Sequence, residues 1–316
     1  MGDRKVIAVV GATGGQGGGL VRAILGDVAG GFSARALTRD ARARKALPLS
    51  ESGAEVVTAD LDDEASVRRA FSGAFAAFCV TNYWEHFTPE REVDQARAMA
   101  AAAQHAGLQH IIWSTLEDTR RWMPLEDTRM PTIMGKYKVP HFDGKGEANQ
   151  LFIDAGVPTT FLLTSFYWDN LIHFGMGPRR GEDGRLAITF PMDDKKLPGI
   201  AVKDIGRSAY EIFKRGDEFI GRTVGIAGEH LTCADMAAGL TRALGEDVHY
   251  NAVSPATYRS LGFRGAADLA NMFQFKRDFE EMFCGARDVA FSRQLNPSLQ
   301  SFEQWLAQHK TQILRD

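Results

Sequence analysis

The chain has few cysteines, no long apolar run and no excess of basic residues, and each absence excludes a class of protein. Its 316 residues include only three cysteines, Cys79, Cys233 and Cys284, an odd and scattered set unlike the framework of a disulfide-rich secreted domain. No segment approaches the roughly 18 consecutive apolar residues of a membrane-spanning helix. The formal net charge of -3 argues against a nucleic-acid-binding protein. We therefore expect a cytoplasmic protein that binds neither nucleic acid nor membranes.

The composition that remains is that of an ordinary folded protein. Apolar residues make up 44% of the chain and charged residues 24%, values typical of globular domains. The length allows one large domain or two moderate ones. A chain of this size buries about three quarters of its surface, so it needs no metal or disulfide to fold. Cys79 lies in an apolar run and is expected to be a small buried residue.

Up to Thr164 the sequence alternates buried strands with helices. Residues 5–10 form a β-branched apolar run that leads through glycines into a helical pattern, and similar alternations follow. Such a sequence predicts βαβ units and a Rossmann-type α/β fold with a doubly wound parallel sheet. The predicted strands are 5–10, 33–38, 55–58, 75–80, 109–113 and 158–164, and the predicted helices begin near residues 19, 60, 90 and 145.

A second, smaller domain of mixed α and β structure is predicted where this alternation ends, after Thr164. We assign residues 1–164 to a dinucleotide-binding domain and residues 165–316 to a domain for a substrate or partner. Within the first domain, residues 116–141 carry prolines and mixed charges in place of a regular element. A connection of this length is usually a functional loop or lid, or else is disordered.

The second half of the chain carries its own helix signals. Helices are predicted over 202–214, 232–244 and 269–283. Thr232 and Asp235 have the spacing of a capping box at the start of the second of these helices. The aromatic residues of the third helix are expected to pack in a core, the alternative being a surface stripe that binds a partner.

The strongest functional signal is a run of glycines between the first strand and the first helix. The G-x-x-G-x-x-G spacing allows a tight turn and close approach of a pyrophosphate to the backbone. The helix that follows would present N–H groups and a partial positive charge to the phosphates. A glycine-rich turn without a ligand is the alternative, but the strand–turn–helix context favours a dinucleotide. The predicted cofactor-binding residues of this turn are Gly11, Ala12, Thr13, Gly14, Gly15, Gln16 and Gly17.

The end of the second predicted strand indicates which nicotinamide cofactor is bound. NAD sites place an acidic residue here, about 20 residues after the glycines, to accept a hydrogen bond from the ribose 2′-hydroxyl. This chain has Arg39 at that point, with Asp40 one position later. A guanidinium pairs with a 2′-phosphate, and Arg42, Arg44 and Lys45 add positive charge. We therefore predict NADP(H), the alternative being that Asp40 binds the ribose and Arg39 is a solvated strand end.

Two further strand ends supply candidates, because ligands of doubly wound sheets lie at the carboxyl ends of the strands. Asp60 follows the third predicted strand and is placed to approach the adenine amino group, unless it only caps the next helix. Thr81, Asn82 and Tyr83 follow the fourth predicted strand. We expect these three residues to line the nicotinamide half of the cofactor.

Several longer motifs carry a resemblance to a known family. They are GATGGQGG from residue 11, TR from 38, TNYWE from 81, HFDGKGE from 141, DLANMF from 268, LNP from 295 and QWLAQHK from 304. With these motifs, the chain resembles the NmrA-like atypical short-chain dehydrogenase/reductases over essentially its whole length, and most closely their HSCARG type. It departs from related chains at Asp94, where they carry a lysine. That departure weakens the case for cofactor contacts from the helix after TNYWE.

The resemblance implies an NADP(H) site in a cleft between a Rossmann domain and a smaller C-terminal domain. It implies that Lys145 faces the nicotinamide ribose and that Ser165, Phe166, Tyr167 and Trp168 pass beside the nicotinamide ring. Proteins of this type are regarded as redox sensors that respond to the NADPH/NADP ratio. They act on a regulatory protein partner or through their own association.

The catalytic pair of ordinary short-chain dehydrogenases is absent. These enzymes use Tyr-x-x-x-Lys, in which the tyrosine transfers a proton and the lysine lowers its pKa, but Tyr137 is followed at the required position by His141. Lys145 remains a candidate general acid, because the similar isoflavone-reductase type uses a lysine at a comparable place. The alternative is that Lys145 only hydrogen-bonds the ribose. Tyr83 and Tyr167 are other candidate proton donors, the alternative being that they are aromatic residues lining the cleft.

Two functional hypotheses follow from these patterns. The first is a redox-sensing regulator in which NADP(H) shifts a partner-binding or homodimer equilibrium, and it is motivated by a strong cofactor motif without the usual catalytic pair. The second is an NADPH-dependent reductase of a small carbonyl, quinone or imine substrate, with Lys145 as general acid. The histidines and cysteines show no metal-ligand spacing, so no metal is expected.

Overall fold

The part of the chain between residues 4 and 313, which this computed structural model describes, contains thirteen β-strands and fourteen α-helices. The strands are β1 (Lys5–Val9), β2 (Phe32–Thr38), β3 (Glu55–Thr58), β4 (Ala76–Cys79), β5 (His110–Thr115), β6 (Thr159–Leu163), β7 (Phe166–Tyr167), β8 (Arg179–Arg180), β9 (Leu186–Phe190), β10 (Lys196–Ile200), β11 (Thr223–Gly225), β12 (Glu229–Thr232) and β13 (Val248–Ala252). The helices are α1 (Gly15–Gly26), α2 (Leu47–Glu51), α3 (Glu64–Phe71), α4 (Tyr83–His86), α5 (Pro89–Ala106), α6 (Pro140–Asp154), α7 (Asn170–His173), α8 (Val202–Arg215), α9 (Cys233–Leu244), α10 (Pro255–Ser260), α11 (Ala266–Asp278), α12 (Glu280–Gly285), α13 (Val289–Leu295) and α14 (Phe302–His309).

These elements belong to two units, each assembled from three separate segments of the chain. One unit contains the residues up to Asp118, His141–Thr164 and Lys203–Val224, and the other contains Thr119–Pro140, Ser165–Val202 and the chain from Gly225 onward. The chain therefore passes from one unit to the other several times. The division at residue 164 into separately folding domains remains a prediction.

The first unit is built on a seven-stranded sheet in the order β11-β6-β5-β4-β1-β2-β3. The five neighbouring pairs from β6 to β3 are all parallel. This arrangement confirms the predicted Rossmann-type α/β fold. The strand order reverses between β1 and β4, and doubly wound sheets bind their ligands in the crevice at such a switch point.

The core of this unit lies between the sheet and the helices that flank it. All residues of β4 and β5 are buried, as expected for central parallel strands covered on both faces. Trp113 of β5 stacks on Phe152 of α6, with 5.1 Å between the ring centroids. Cys79 is fully buried in the same cluster, so its predicted packing role is confirmed.

Helix ends follow their local sequence signals closely. Helix α5 begins with Pro89 in its first turn and ends at Gly107, which has a φ of 63°, a left-handed conformation that glycine adopts at little cost. The capping box predicted for α9 is confirmed, because the side chain of Thr232 accepts from the N–H of Asp235 and the carboxylate of Asp235 accepts in return.

Helix α6 begins at Pro140, five residues earlier than the predicted start at Lys145. Gly144 and Gly146 lower the helix propensity of this stretch, so the sequence pattern did not predict the first turn of the helix. The structure requires a glycine there, because a Cβ on Gly146 would lie 2.4 Å from the backbone nitrogen of Asp118. The helix therefore packs directly against the backbone that follows β5.

The second unit contains two three-stranded sheets, β12-β10-β7 and β13-β9-β8. Sequence patterns missed all six of these short strands. The single helix predicted over 269–283 is wrong, because the chain bends at Phe279 between α11 and α12. The core role predicted for its aromatic residues is confirmed for Phe273, Phe275 and Phe283, which are buried, whereas Phe279 is half-buried.

Residues 119–140 are ordered by contacts within the second unit. The amide of Asn271 on α11 donates to the carbonyls of Pro131, at 2.9 Å, and Lys138, at 2.6 Å. The buried Lys138 ammonium donates to the carbonyls of Asp127 and Met130, both at 2.7 Å. The alternative of a disordered connection is therefore wrong for this segment, and its role as a functional loop or lid remains a prediction. Within residues 4–313, no helix is both long and apolar enough to cross a membrane.

Candidate functional site

The glycine turn between β1 and α1 presents an open backbone at the carboxyl end of the sheet. Gly11 has a positive φ of 65°, which residues with a side chain rarely adopt. The backbone N–H of Gly14 donates a hydrogen bond of 2.9 Å to the carbonyl of Gly11. Gly14 is the N-cap of α1, where no side chain caps the helix and no acidic residue occupies the first turn. The N-terminal N–H groups of α1 are therefore suited to an anion.

Close backbone packing explains why this turn is so rich in glycine. A Cβ on Gly17 would lie 2.5 Å from the carbonyl oxygen of Gly11 and 2.7 Å from that of Val10. A Cβ on Gly206 of α8 would lie 2.1 Å from the backbone nitrogen of Leu20. Glycine at these positions lets α1 approach both the turn and α8. The contribution of Gly206 was not predicted from the sequence.

The other residues predicted for the turn have distinct positions. Gln16 accepts a hydrogen bond of 2.8 Å at Oε1 from the Ser114 hydroxyl, which joins the first turn of α1 to β5. Ala12 is buried, Thr13 is half-buried and Gly15 is exposed. The turn therefore combines a packed side with an accessible one. This geometry fits a dinucleotide pyrophosphate.

Arg39 follows β2 and lies largely in solvent, with 66% of its side chain exposed. It forms an ion pair with Glu85 of α4 through Nη1 and Oε1. Asp40 is engaged in its own turn, since its carboxylate accepts from the backbone N–H of Arg42 at 2.8 Å. Both groups are exposed and both have a polar partner, so each remains a candidate for binding a ribose or its phosphate.

Asp60 lies at the carboxyl end of β3 and is exposed. Its carboxylate accepts from the N–H of Asp62 at 3.0 Å. Helix α3 is capped by Asp63, which accepts from the N–H of Ala65, so the alternative that Asp60 caps this helix is wrong. An adenine contact for Asp60 remains a prediction.

Lys145 of α6 forms a buried ion pair with Glu92 of α5 at the end of β4. Its Nζ lies 2.8 Å from Oε1 of Glu92, and the two side chains are only 11% and 1% exposed. The same ammonium lies 2.5 Å from the hydroxyl and 3.1 Å from the carbonyl oxygen of Thr81. These three acceptors match the three donors of an ammonium group. Lys145 is therefore held firmly beside Thr81.

A second layer of polar contacts fixes the helix that carries Lys145. The hydroxyl oxygen of Thr115 lies 2.7 Å from the side-chain oxygen of Asn149 and 3.1 Å from the carbonyl oxygen of Lys145. The indole N–H of Trp113 donates to the same Asn149 oxygen at 3.0 Å. Each bond joins α6 to the end of β5, so the position of Lys145 is determined by the sheet as well as by its own helix.

An aromatic cluster lies beside this ion pair. The imidazole of His141, one helical turn before Lys145, has its centroid 4.8 Å from that of Trp84 and 5.8 Å from that of Tyr83. Tyr83 is buried, whereas Asn82 before it is exposed. The predicted nicotinamide-side residues Thr81, Asn82 and Tyr83 thus lie together with Lys145 in one unit.

Residues 165–168 belong to the other unit. The hydroxyl of Ser165 donates to the carbonyl of Ile226 at 2.5 Å, and Phe166 and Tyr167 form β7. The fully buried Trp168 packs its ring on Phe302, with 5.3 Å between centroids. The predicted position of these four residues beside the nicotinamide ring remains a prediction.

Glu92 is the functional candidate that sequence reasoning missed. It lies in the first turn of α5, where an acidic residue is usually explained by the helix dipole, so its sequence position carries no special signal. Its second carboxylate oxygen, Oε2, is buried without a hydrogen-bond partner among residues 4–313. Over the same residues, no group of three or more His, Cys, Asp or Glu side chains is arranged to hold a metal ion.

Comparison with known proteins agrees with this geometry. A curated NmrA-like family domain-containing protein of Dictyostelium discoideum is 25% identical over 312 residues, which cover 96% of this chain and 97% of that protein. An NmrA-like family domain-containing oxidoreductase of Aspergillus versicolor is 37% identical over 254 residues, or 74% of this chain and 68% of that protein. The solved structure of NmrA, a negative transcriptional regulator, in complex with NADP matches with a TM-score of 0.76 and 23% identity, covering 96% of this chain and 95% of that one.

The sequence profile of one family extends over nearly the full length of the chain. It matches residues 3–306, a range that contains the glycine turn, the Lys145–Glu92 pair and almost all of the second unit. The chain belongs to the NmrA-like family.

Proposed function

We propose that this protein binds NADP(H) and responds to the NADPH/NADP ratio as a redox-sensing regulator. The observation that carries the proposal is the glycine turn, where the start of α1 has no side-chain cap and no acidic residue in its first turn, as expected for a helix that binds a pyrophosphate. The structure of NmrA, described as a negative transcriptional regulator in complex with NADP, supports cofactor binding and a regulatory role.

The surroundings of β2 favour the phosphorylated cofactor. Arg39 is exposed, and the side chains of Arg42, Arg44 and Lys45 add an exposed basic patch nearby in sequence. Asp40, which could instead read an unphosphorylated ribose, is turned toward the backbone of Arg42. We infer that Arg39 binds the 2′-phosphate through charge-assisted hydrogen bonds.

A redox response in this chain would act through the cofactor and not through a thiol. Burial raises the pKa of Cys233 to about 12 and that of Cys284 to about 11, and it also raises the pKa of Cys79. Cysteines that sense oxidants have low pKa values and accessible thiolates. The bound dinucleotide would instead supply a nicotinamide whose charge differs between its two redox forms. The scattered thiols also suit a cytoplasmic protein.

A reductase is the second candidate, favoured by the oxidoreductase name of the relative with 37% identity. In this alternative NADPH would supply a hydride to the substrate and be oxidised to NADP⁺, and Lys145 would donate a proton to the heteroatom of a small carbonyl, quinone or imine. Such a step requires Lys145 to release one of its three bonds to Thr81 and Glu92. The geometry therefore favours a holding role for Lys145.

Binding and turnover assays separate these functions. We expect NADPH and NADP⁺ to bind more tightly than NADH and NAD⁺, and the two phosphorylated forms to give different proteolysis patterns or different association with a protein partner or a second copy. Identical proteolysis patterns and identical masses of the assembled protein with NADPH and NADP⁺ would contradict a sensing role. NADPH oxidation with a panel of quinones, aldehydes and imines, lost in Lys145→Ala while NADP⁺ affinity remains, would establish the reductase instead.

A further inference from the structure

The ion pair between Lys145 and Glu92 is buried at the carboxyl end of β4, an inner strand of the sheet. Two opposite charges are almost completely removed from water, and such burial is costly enough that a buried pair adds little stability over an apolar one. The hydroxyl of Thr81 lies 2.6 Å from Oε1 of Glu92 and 2.5 Å from Nζ of Lys145. The arrangement thus holds both charges in fixed positions.

The topology of the sheet places these charges relative to a bound dinucleotide. The glycine turn after β1 would hold the pyrophosphate, and Arg39 after β2 would hold the adenosine end. Because β4 adjoins β1 on the side opposite to β2, the nicotinamide end would extend over β4. Thr81 follows β4, so the fixed charges lie on the nicotinamide side.

We propose that Lys145 and Glu92 act in opposite directions on the preference of this site between NADPH and NADP⁺, and that their pairing holds this preference in balance. The proposal rests on NADP(H) binding as proposed above and names the two residues whose separate charges bear on its redox selectivity. The nicotinamide ring is cationic in NADP⁺ and neutral in NADPH, so it is the part whose charge differs between them. Lys145 disfavours the cationic ring, and Glu92 offsets Lys145.

Each charge therefore has an opposite and predictable effect. Removing Lys145 leaves the carboxylate of Glu92, which favours NADP⁺ as long as it stays ionised, and removing the charge of Glu92 leaves the ammonium of Lys145, which favours NADPH as long as it stays protonated. A unit charge roughly 6 Å from the ring changes the affinity ratio by about threefold to a hundredfold for effective dielectric constants of about 80 to 20. A purely structural role would weaken both forms alike and leave the ratio unchanged.

The test measures the dissociation constants of NADPH and NADP⁺ for the full chain and for Lys145→Met, Glu92→Gln and the double variant. We expect the ratio Kd(NADP⁺)/Kd(NADPH) to fall at least about threefold in Lys145→Met and to rise at least about threefold in Glu92→Gln. The double variant removes both charges and should return to within about twofold of the original ratio. It also avoids an unpaired buried charge, so it remains informative if a single variant fails to fold.

Arg68→Met is the matched control, because it breaks an exposed pair with Glu64 on α3 and should leave the ratio unchanged. Single variants that move the ratio in the same direction, or a double variant that shifts it more than about threefold, would overturn the proposal. If neither cofactor binds the unmodified protein, the proposed function itself fails. If both bind and the ratio is unmoved by the variants, only this inference fails.

Discussion

Arg39 and Glu85 form an ion pair that joins the end of β2 to α4. Both side chains are substantially exposed, so water weakens the attraction. Arg39 is also the residue expected to bind the 2′-phosphate of NADP(H). If Arg39 binds that phosphate as proposed, Glu85 and the phosphate would compete for one guanidinium, and the preference for NADP(H) would reflect that competition.

Replacing Glu85 with glutamine should remove the competitor. An exposed pair contributes about 0–1 kcal/mol, so we expect Glu85→Gln to tighten NADPH and NADP⁺ by up to about fivefold. Binding of NADH, which carries no 2′-phosphate, should change little. Titration calorimetry with all three nucleotides checks this expectation, and weaker NADPH binding in the variant would contradict it.

Replacing Arg39 with methionine should have the opposite and larger effect. A hydrogen bond to a charged group contributes about 1.5–3 kcal/mol, so NADPH affinity should fall about tenfold to a hundredfold while NADH affinity stays nearly constant. Arg42→Met is the control, and its loss of NADPH affinity should be smaller than that of Arg39→Met. Equal losses of NADPH and NADH in Arg39→Met, together with loss of NADH binding in Asp40→Asn, would show that Asp40 reads the ribose.

Replacing Gly17 with alanine should disrupt the turn. The new Cβ would meet two carbonyl oxygens of the backbone within 2.7 Å, so we expect a loss of about 1–3 kcal/mol of stability and of most NADP(H) binding. Gly26 at the end of the same helix is the matched control, since a Cβ there meets nothing within 4 Å. Gly26→Ala should melt at the same or a higher temperature and bind normally.

The buried His110 should make stability depend on pH. Burial lowers its pKa to about 4, and its Nε2 lies 2.8 Å from the Thr160 hydroxyl. Between about pH 4 and 6.5 the unfolded chain binds a proton that the folded protein does not, so the stabilisation is complete above about pH 6.5 and is lost toward pH 4. The loss should reach about 3 kcal/mol.

Urea unfolding at pH 7 and pH 4.5 measures this contribution. His110→Gln should reduce the difference in unfolding free energy between the two pH values, because the variant lacks the imidazole that titrates. All other titrating groups are common to both proteins and contribute equally to the two differences. An unchanged difference would show that His110 titrates normally in the folded protein.

Replacing Asn271 with alanine should release residues 119–140. The variant loses the two donors that hold the carbonyls of Pro131 and Lys138, and unsatisfied buried groups cost about 1–3 kcal/mol. We expect faster tryptic cleavage within that segment, located by mass spectrometry. Asn251→Ala, at an exposed position on β13, should be cleaved like the unmodified protein.

Local patterns were sufficient for the elements whose stability is local. The strand β3 was predicted residue for residue, and the start of α5 was predicted to within one residue. Both ends of α5 carry local signals, with Pro89 in the first turn and Gly107 as the C-cap. The late start predicted for α6 has the opposite cause. Its glycines weaken the local helix signal, and contacts with the backbone after β5 make them necessary.

By itself, the sequence determined the dinucleotide turn and the parallel sheet, because glycine spacing and apolar runs act over a few residues. It also singled out Arg39 and Lys145. Only the tertiary structure decided their partners, Glu85 and Glu92, which lie 46 and 53 residues away along the chain. The physical reason is that a parallel sheet brings distant strand ends to one edge, where charges pair by proximity in space.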